Sequence, residues 1–153
     1  MRKKLRRQEI ETPVFYIGAG TCGLGAGAGK TIEAVKAYMH EREIDAEVIE
    51  VGCIGLCSSE PILDIQIPGR TRISFAHATH GKVIPVLDAL FQGEVPEGIE
   101  IMGQFRETTQ KEWENVPFLD EHPFFKPQTR WVLKNCGTIN PVSIDEYIAK
   151  GGY

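Results

Sequence analysis

No run in this sequence approaches about 18 uncharged apolar residues, so no segment reads as a membrane-spanning helix. The N-terminus, MRKKLRRQEIETP, is basic but lacks the apolar core of a secretory signal. The expected location is therefore the cytoplasm, where thiols stay reduced and cysteines serve as ligands, reactive groups or buried packing. Basic residues become scarce once the N-terminus is passed. Residues 9–153 carry 12 basic and 21 acidic side chains, and phosphate neutralisation needs a basic face, so no nucleic-acid partner is expected. Internal repeats and low-complexity tracts are absent, which excludes solenoids and linker-like chains.

What remains is globular. The chain has 153 residues, 42% of them hydrophobic and 25% charged, enough for one domain with a real core and an appendage. Residues 1–11 read as a solvated basic tail carrying Arg2, Lys3, Lys4, Arg6 and Arg7, with docking to an acidic partner as the alternative. From Thr12 to Gly93 strand and helix patterns alternate. Val14–Ile17 is a β-branched and aromatic run ending in glycines, and reads as a buried strand. Thr31–Arg42 places Ile32, Val35 and Met39 at helical spacing. Glu47–Val51, Ile62–Ile67 and Arg72–Ala76 read as three further strands, the last two joined by the turn dipeptide Pro68-Gly69. Val83–Phe91 reads as a second helix with Pro85 in its first turn, where proline is tolerated. The order β-α-β-β-β-α predicts an α/β fold, a mixed sheet flanked by helices.

The pattern changes at Glu94. Four prolines (Pro96, Pro117, Pro123 and Pro127) fall in a stretch with little hydrophobic periodicity, so residues 94–127 read as a linker or strap. Residues 128–153 regain apolar spacing at Gln128–Leu133 and Ser143–Ala149 and read as the truncated start of a second domain. Trp131, Leu133, Ile139, Ile144, Tyr147 and Ile148 there would form an apolar face larger than a free tail normally shows.

Three motifs compete for chemistry. Gly18-Ala19-Gly20-Thr21-Cys22-Gly23 matches G-x-G-x-x-G between a strand and a helix. Its ribose-binding acid would have to be Glu50, 27 residues past Gly23 where about 20 is usual. Gly25-Ala-Gly-Ala-Gly-Lys30-Thr31 approaches a phosphate loop, but Leu24 stands where the pattern requires glycine. Neither motif predicts a nucleotide site, so the chain itself is expected to bind neither NADH nor flavin. The third is the cysteine set: Cys22 after the first strand, Cys53 and Cys57 after the second, with Cys136 far away. If those strands are neighbours, Cys22, Cys53 and Cys57 converge at one sheet edge. Thiolates flanked by small residues suit an iron–sulfur cluster, a zinc or redox site, or inert packing.

Gly20-Thr21, Gly27-Ala28, Gly52-Cys53-Ile-Gly-Leu-Cys57 and Glu60-Pro61 resemble the thioredoxin-like 2Fe–2S ferredoxins. These occur at the N-terminus of flavin-bearing subunits of NADH dehydrogenases and NADH-linked hydrogenases related to respiratory complex I. Arg130-Trp-Val-Leu-Lys-Asn-Cys136-Gly and Ile144-Asp-Glu-Tyr147 through Tyr153 resemble the lead-in to that family's flavin- and NADH-binding domain. The resemblance implies a thioredoxin-like ferredoxin domain at 12–93, with Cys22, Cys53 and Cys57 binding a 2Fe–2S cluster. It places FMN and NADH only in the missing downstream domain. The implied partners are that domain and the other subunits of an NADH oxidoreductase or hydrogenase complex, and the cytoplasmic side of a membrane-associated complex is a compatible location. The fragment alone would not be catalytic. One departure matters: the family's first cysteine pair falls, without gaps, on Gly18 and Gly23, and Cys22 sits one place early. A cluster-free thioredoxin-like docking module is therefore the alternative.

Overall fold

The computed structural model describes residues 2–153, with side chains from Lys4 onward; Met1, the first residue of the expected tail, lies outside the described residues. After a one-turn helix α1 (Arg2–Leu5) come β1 (Val14–Gly18), α2 (Thr21–Gly25), α3 (Ala28–Glu41) and β2 (Glu47–Val51). Then follow β3 (Leu63–Gln66), β4 (Ile73–Ala76), α4 (His80–Phe91), β5 (Glu100–Gln104) and α5 (Ile144–Ala149). The five strands form one mixed sheet in the order β2-β1-β3-β4-β5. β1 and β2 run parallel, as a strand–helix–strand crossover requires, and every other pairing is antiparallel.

Alternation along the strands sorts residues onto two faces. Phe15, Ile17, Leu63, Ile65, Ile73 and Phe75 pack against Ile32, Val35 and Met39 of α3 and Val83, Leu87 and Leu90 of α4. Thr31 Oγ1 donates to the Ala78 carbonyl at 2.8 Å and ties α3 to the approach to α4. Tyr16, Asp64 and Ser74 point to the opposite face, which no long helix covers.

Four expectations are revised. The segment 94–127 is not simply a strap, because β5 within it pairs with β4 and Trp113 and Val116 join the core. Its strand was hidden because only Ile101 and Met102 are apolar among five residues; the pairing comes from a free sheet edge. Pro85 lies in the interior of α4, which starts three residues earlier than its apolar face suggests. Gln128–Leu133 forms no regular element. Two of the tail's described basic residues, Arg6 and Arg7, are tied to the fold, while Lys4 stays exposed. Arg6 Nε donates to the Ala149 carbonyl at 2.7 Å, and Arg7 forks onto Glu47 at 2.6 and 2.7 Å while reaching Glu146 at 2.7 Å. The acidic partner is the chain itself.

The α5 expectation holds, with Ser143 as its cap, accepting from the Glu146 amide. The apolar residues before it stay in the open, Trp131 at 82% and Val132 at 93% exposed.

Trp113 reads out the packed nature of the 94–127 segment. Its ring is 3% exposed and its Nε1 donates to the Thr71 carbonyl at 2.9 Å. Trp113→Phe should cost about 1–2 kcal/mol in urea unfolding, from one hydrogen bond and part of a ring. A solvated strap would show no change.

Candidate metal centre

Because β1 and β2 are parallel neighbours, both end at the same sheet edge, and the loops leaving them meet there. The β1–α2 turn presses on the second loop so closely that a Cβ on Gly20 would stand 3.2 Å from Cys53 Cβ. Cys53 and Cys57 lie on one tight loop, with their sulfurs 3.7 Å apart. Gly55, at φ +94°, turns its N–H back onto Cys53 Sγ at 3.2 Å. That left-handed conformation is open to glycine and strained for other residues. A tetrahedral metal with thiolate bonds of about 2.3 Å has sulfur–sulfur edges of about 3.8 Å, so this pair is spaced as one edge of such a site.

Cys22 is exposed on α2 beside Cys57, and its thiol is the main influence pushing the Cys57 thiol up. For Cys53 the Gly55 amide acts to lower the thiol, but burial and the Cys57 thiol outweigh it and the net shift is upward. Two neighbouring thiols disfavour two thiolates unless a cation joins them. Among the described residues, no set of three or more His, Cys, Asp or Glu side chains converges on a single metal position. The structure therefore brings Cys53 and Cys57 together and leaves Cys22 as their neighbour. Cys136 stands apart, although the following Gly137 packs on Ile54 in the cysteine loop.

Of the other pair in that family's ligand set, the Gly23 position admits no side chain, and the Gly18 position does so only if Glu60 moves. A Cβ on Gly23 would lie 2.0 Å from the Gly18 carbonyl oxygen, and one on Gly18 would lie 2.7 Å from a Glu60 carboxylate oxygen. Glu60 fills the space, buried at the end of the cysteine loop, with Oε2 accepting from the Ile62 amide at 2.8 Å. Nothing in the sequence marks this role beyond Glu60 preceding Pro61 after the cysteine pair.

Burial pushes the Glu60 carboxyl above its ordinary value, with the Asp64 charge adding to the shift. The folded protein therefore holds this proton more tightly than the unfolded chain. Stability attached to Glu60 is fully present below the usual carboxylate range and is lost as pH rises through the folded value. Glu60→Gln should unfold at a higher temperature than wild type at neutral pH, and the two should converge in acid. A variant less stable at neutral pH would contradict this reading.

No family profile matches the chain. It is 24% identical over 106 residues to the NADP-reducing hydrogenase subunit HndB of Solidesulfovibrio fructosivorans, covering 63% of this chain and 84% of that subunit. Among solved structures, a thioredoxin-like 2Fe–2S ferredoxin from Aquifex aeolicus superposes with a TM-score of 0.52 at 11% identity. That match spans 67% of this chain and the whole of the ferredoxin. The fold is thioredoxin-like, as the resemblance implies.

Proposed function

We propose that this chain is an electron-transfer domain of a multisubunit, hydrogenase-type oxidoreductase, in which the Cys53–Cys57 loop holds one side of a 2Fe–2S cluster. The observation that carries the reading is the thiol pair at metal-edge spacing, 3.7 Å, with a backbone N–H on one sulfur at the end of β2. The hydrogenase relative and the ferredoxin likeness support it. Cys53 and Cys57 would bind one iron, and Cys22 is the nearest remaining thiol. When bound, such a cluster supplies a one-electron relay beside two-electron donors. The chain's own part is to aim the Gly55 amide at sulfur and to keep the loop against the β1–α2 turn.

In the finer form of this proposal, the domain opens a flavin-bearing, NADH-oxidising subunit in the cytoplasm. The exposed apolar stretch around Trp131 and Val132 then packs on the flavin domain downstream, where FMN and NADH bind.

The test is anaerobic reconstitution with iron and sulfide, followed by metal analysis and paramagnetic resonance of the dithionite-reduced protein. Wild type should retain equal iron and sulfide and give a reduced-state signal, and Cys53→Ser should lose both while keeping its circular dichroism. A second reading has its own support: the main chain at Gly18 leaves no room for a side chain at Gly23, where one cysteine of the first pair would stand. If wild type retains no iron, the relay role is wrong and the domain is a cluster-free docking module. A single colourless metal per chain would instead identify a zinc site.

A further inference from the structure

The helix-free face of the sheet is roofed by the segment 118–138, and a cavity of about 440 Å³ remains between them. That falls within the range of about 300–1,000 Å³ typical of small-molecule sites. Tyr16, Val51 and Ile62 form part of its floor, and Leu119 and Phe125 part of its roof, so its wall is largely apolar and aromatic. Such a surface would be expected to close on itself, as the helix-covered face does.

The polar groups in the wall point to an occupant. Asp64 is about nine-tenths buried there, and its Oδ1 has no hydrogen-bond partner. Its Oδ2 is taken by Arg72, whose Nε donates at 3.0 Å. Arg72 is itself held between the Tyr16 and Phe105 rings at 3.5 and 4.5 Å. The Asp64 charge is thus already balanced, and the spare oxygen calls for a neutral donor more than for a second cation. Ser74 Oγ, also in the wall, touches only the Met102 sulfur at 3.8 Å and is free for a further bond.

We propose that this cavity binds a neutral aromatic ligand of one ring or two fused rings, oriented by a single edge N–H or O–H donated to Asp64 Oδ1. The cavity borders the cysteine loop at Gly52 and Ile54, but neither thiol of the Cys53–Cys57 pair lines it, and its test does not depend on iron.

The probes are indole, which carries one such donor, and 1-methylindole, which has the same shape without it. Calorimetric titration of the full chain should show saturable indole binding. Affinity for 1-methylindole should be lower by about tenfold, the loss expected for one hydrogen bond. Asp64→Asn should show a similar loss for indole. Because that change also touches Arg72, a second variant, Leu119→Trp, fills the cavity from its roof, and it should abolish indole binding while remaining folded by circular dichroism. The proposal is overturned by absence of indole binding to wild type, by equal affinity for the two probes, or by undiminished binding in folded Leu119→Trp.

Discussion

Arg72→Ala should destabilise the protein by about 3–5 kcal/mol in urea unfolding, a large share of the stability of a domain this size. The guanidinium is 7% exposed and makes four attachments from one buried position. It donates to Asp64 Oδ2 and to the Gly137 carbonyl, and its plane lies against Tyr16 and Phe105. Truncation would leave both Asp64 oxygens buried without partners and release the roof segment at Gly137. Arg72→Lys should recover little, since a point charge cannot both stack and fork. Replacing both members together, as Arg72→Met with Asp64→Leu, should return most of the loss, because the cost lies in the stranded carboxylate. A loss below about 1 kcal/mol for Arg72→Ala would mean that the pair behaves as a solvated surface bridge.

Arg72 also illustrates what could and could not be read before the fold was known. β1, β2 and α3 were legible because their apolar residues repeat at the strand and helix periods, and because glycines close the two strands. Adjacency of β1 and β2 was enough to bring Cys53 and Cys57 to the edge where Gly20 also lies. β5 was not legible, because a sheet edge, and not its own composition, makes it a strand. The tail was misread for a related reason. Arg7 finds its acids 40 and 139 residues away, on β2 and α5, and no local pattern announces such pairings. Asp64 stands on β3 opposite Ser74, and Arg72 reaches it from just before β4, but only burial under the 118–138 segment turns that pair into a structural node. The glycines at 18 and 23 match a dinucleotide pattern that the distance to Glu50 already argues against, and their small size serves the close approach of Glu60 and of the main chain.

Gly23→Cys should fail to restore the family's ligand pair and should cost about 3 kcal/mol or more. The added Cβ would meet the Gly18 carbonyl oxygen at 2.0 Å and its carbon at 2.8 Å. Gly18 cannot withdraw freely. Its amide donates to the Ile62 carbonyl at 3.0 Å, and the next amide, from Ala19, donates to the Val51 carbonyl at 2.9 Å. Overpacking against movable side chains costs about 1–3 kcal/mol, and a main-chain obstacle held on two sides belongs at or beyond the upper end. Gly18→Cys is the informative contrast, because its nearest obstacle is the end of the Glu60 side chain, which can swing away. It should remain folded, losing about 1–2 kcal/mol. Thermal unfolding of the two variants side by side, with iron assayed after reconstitution, separates backbone obstruction from simple loss of a ligand. Wild-type stability together with increased iron in Gly23→Cys would show that the glycine turn shifts readily to admit a thiolate, and the docking-module reading would then fall.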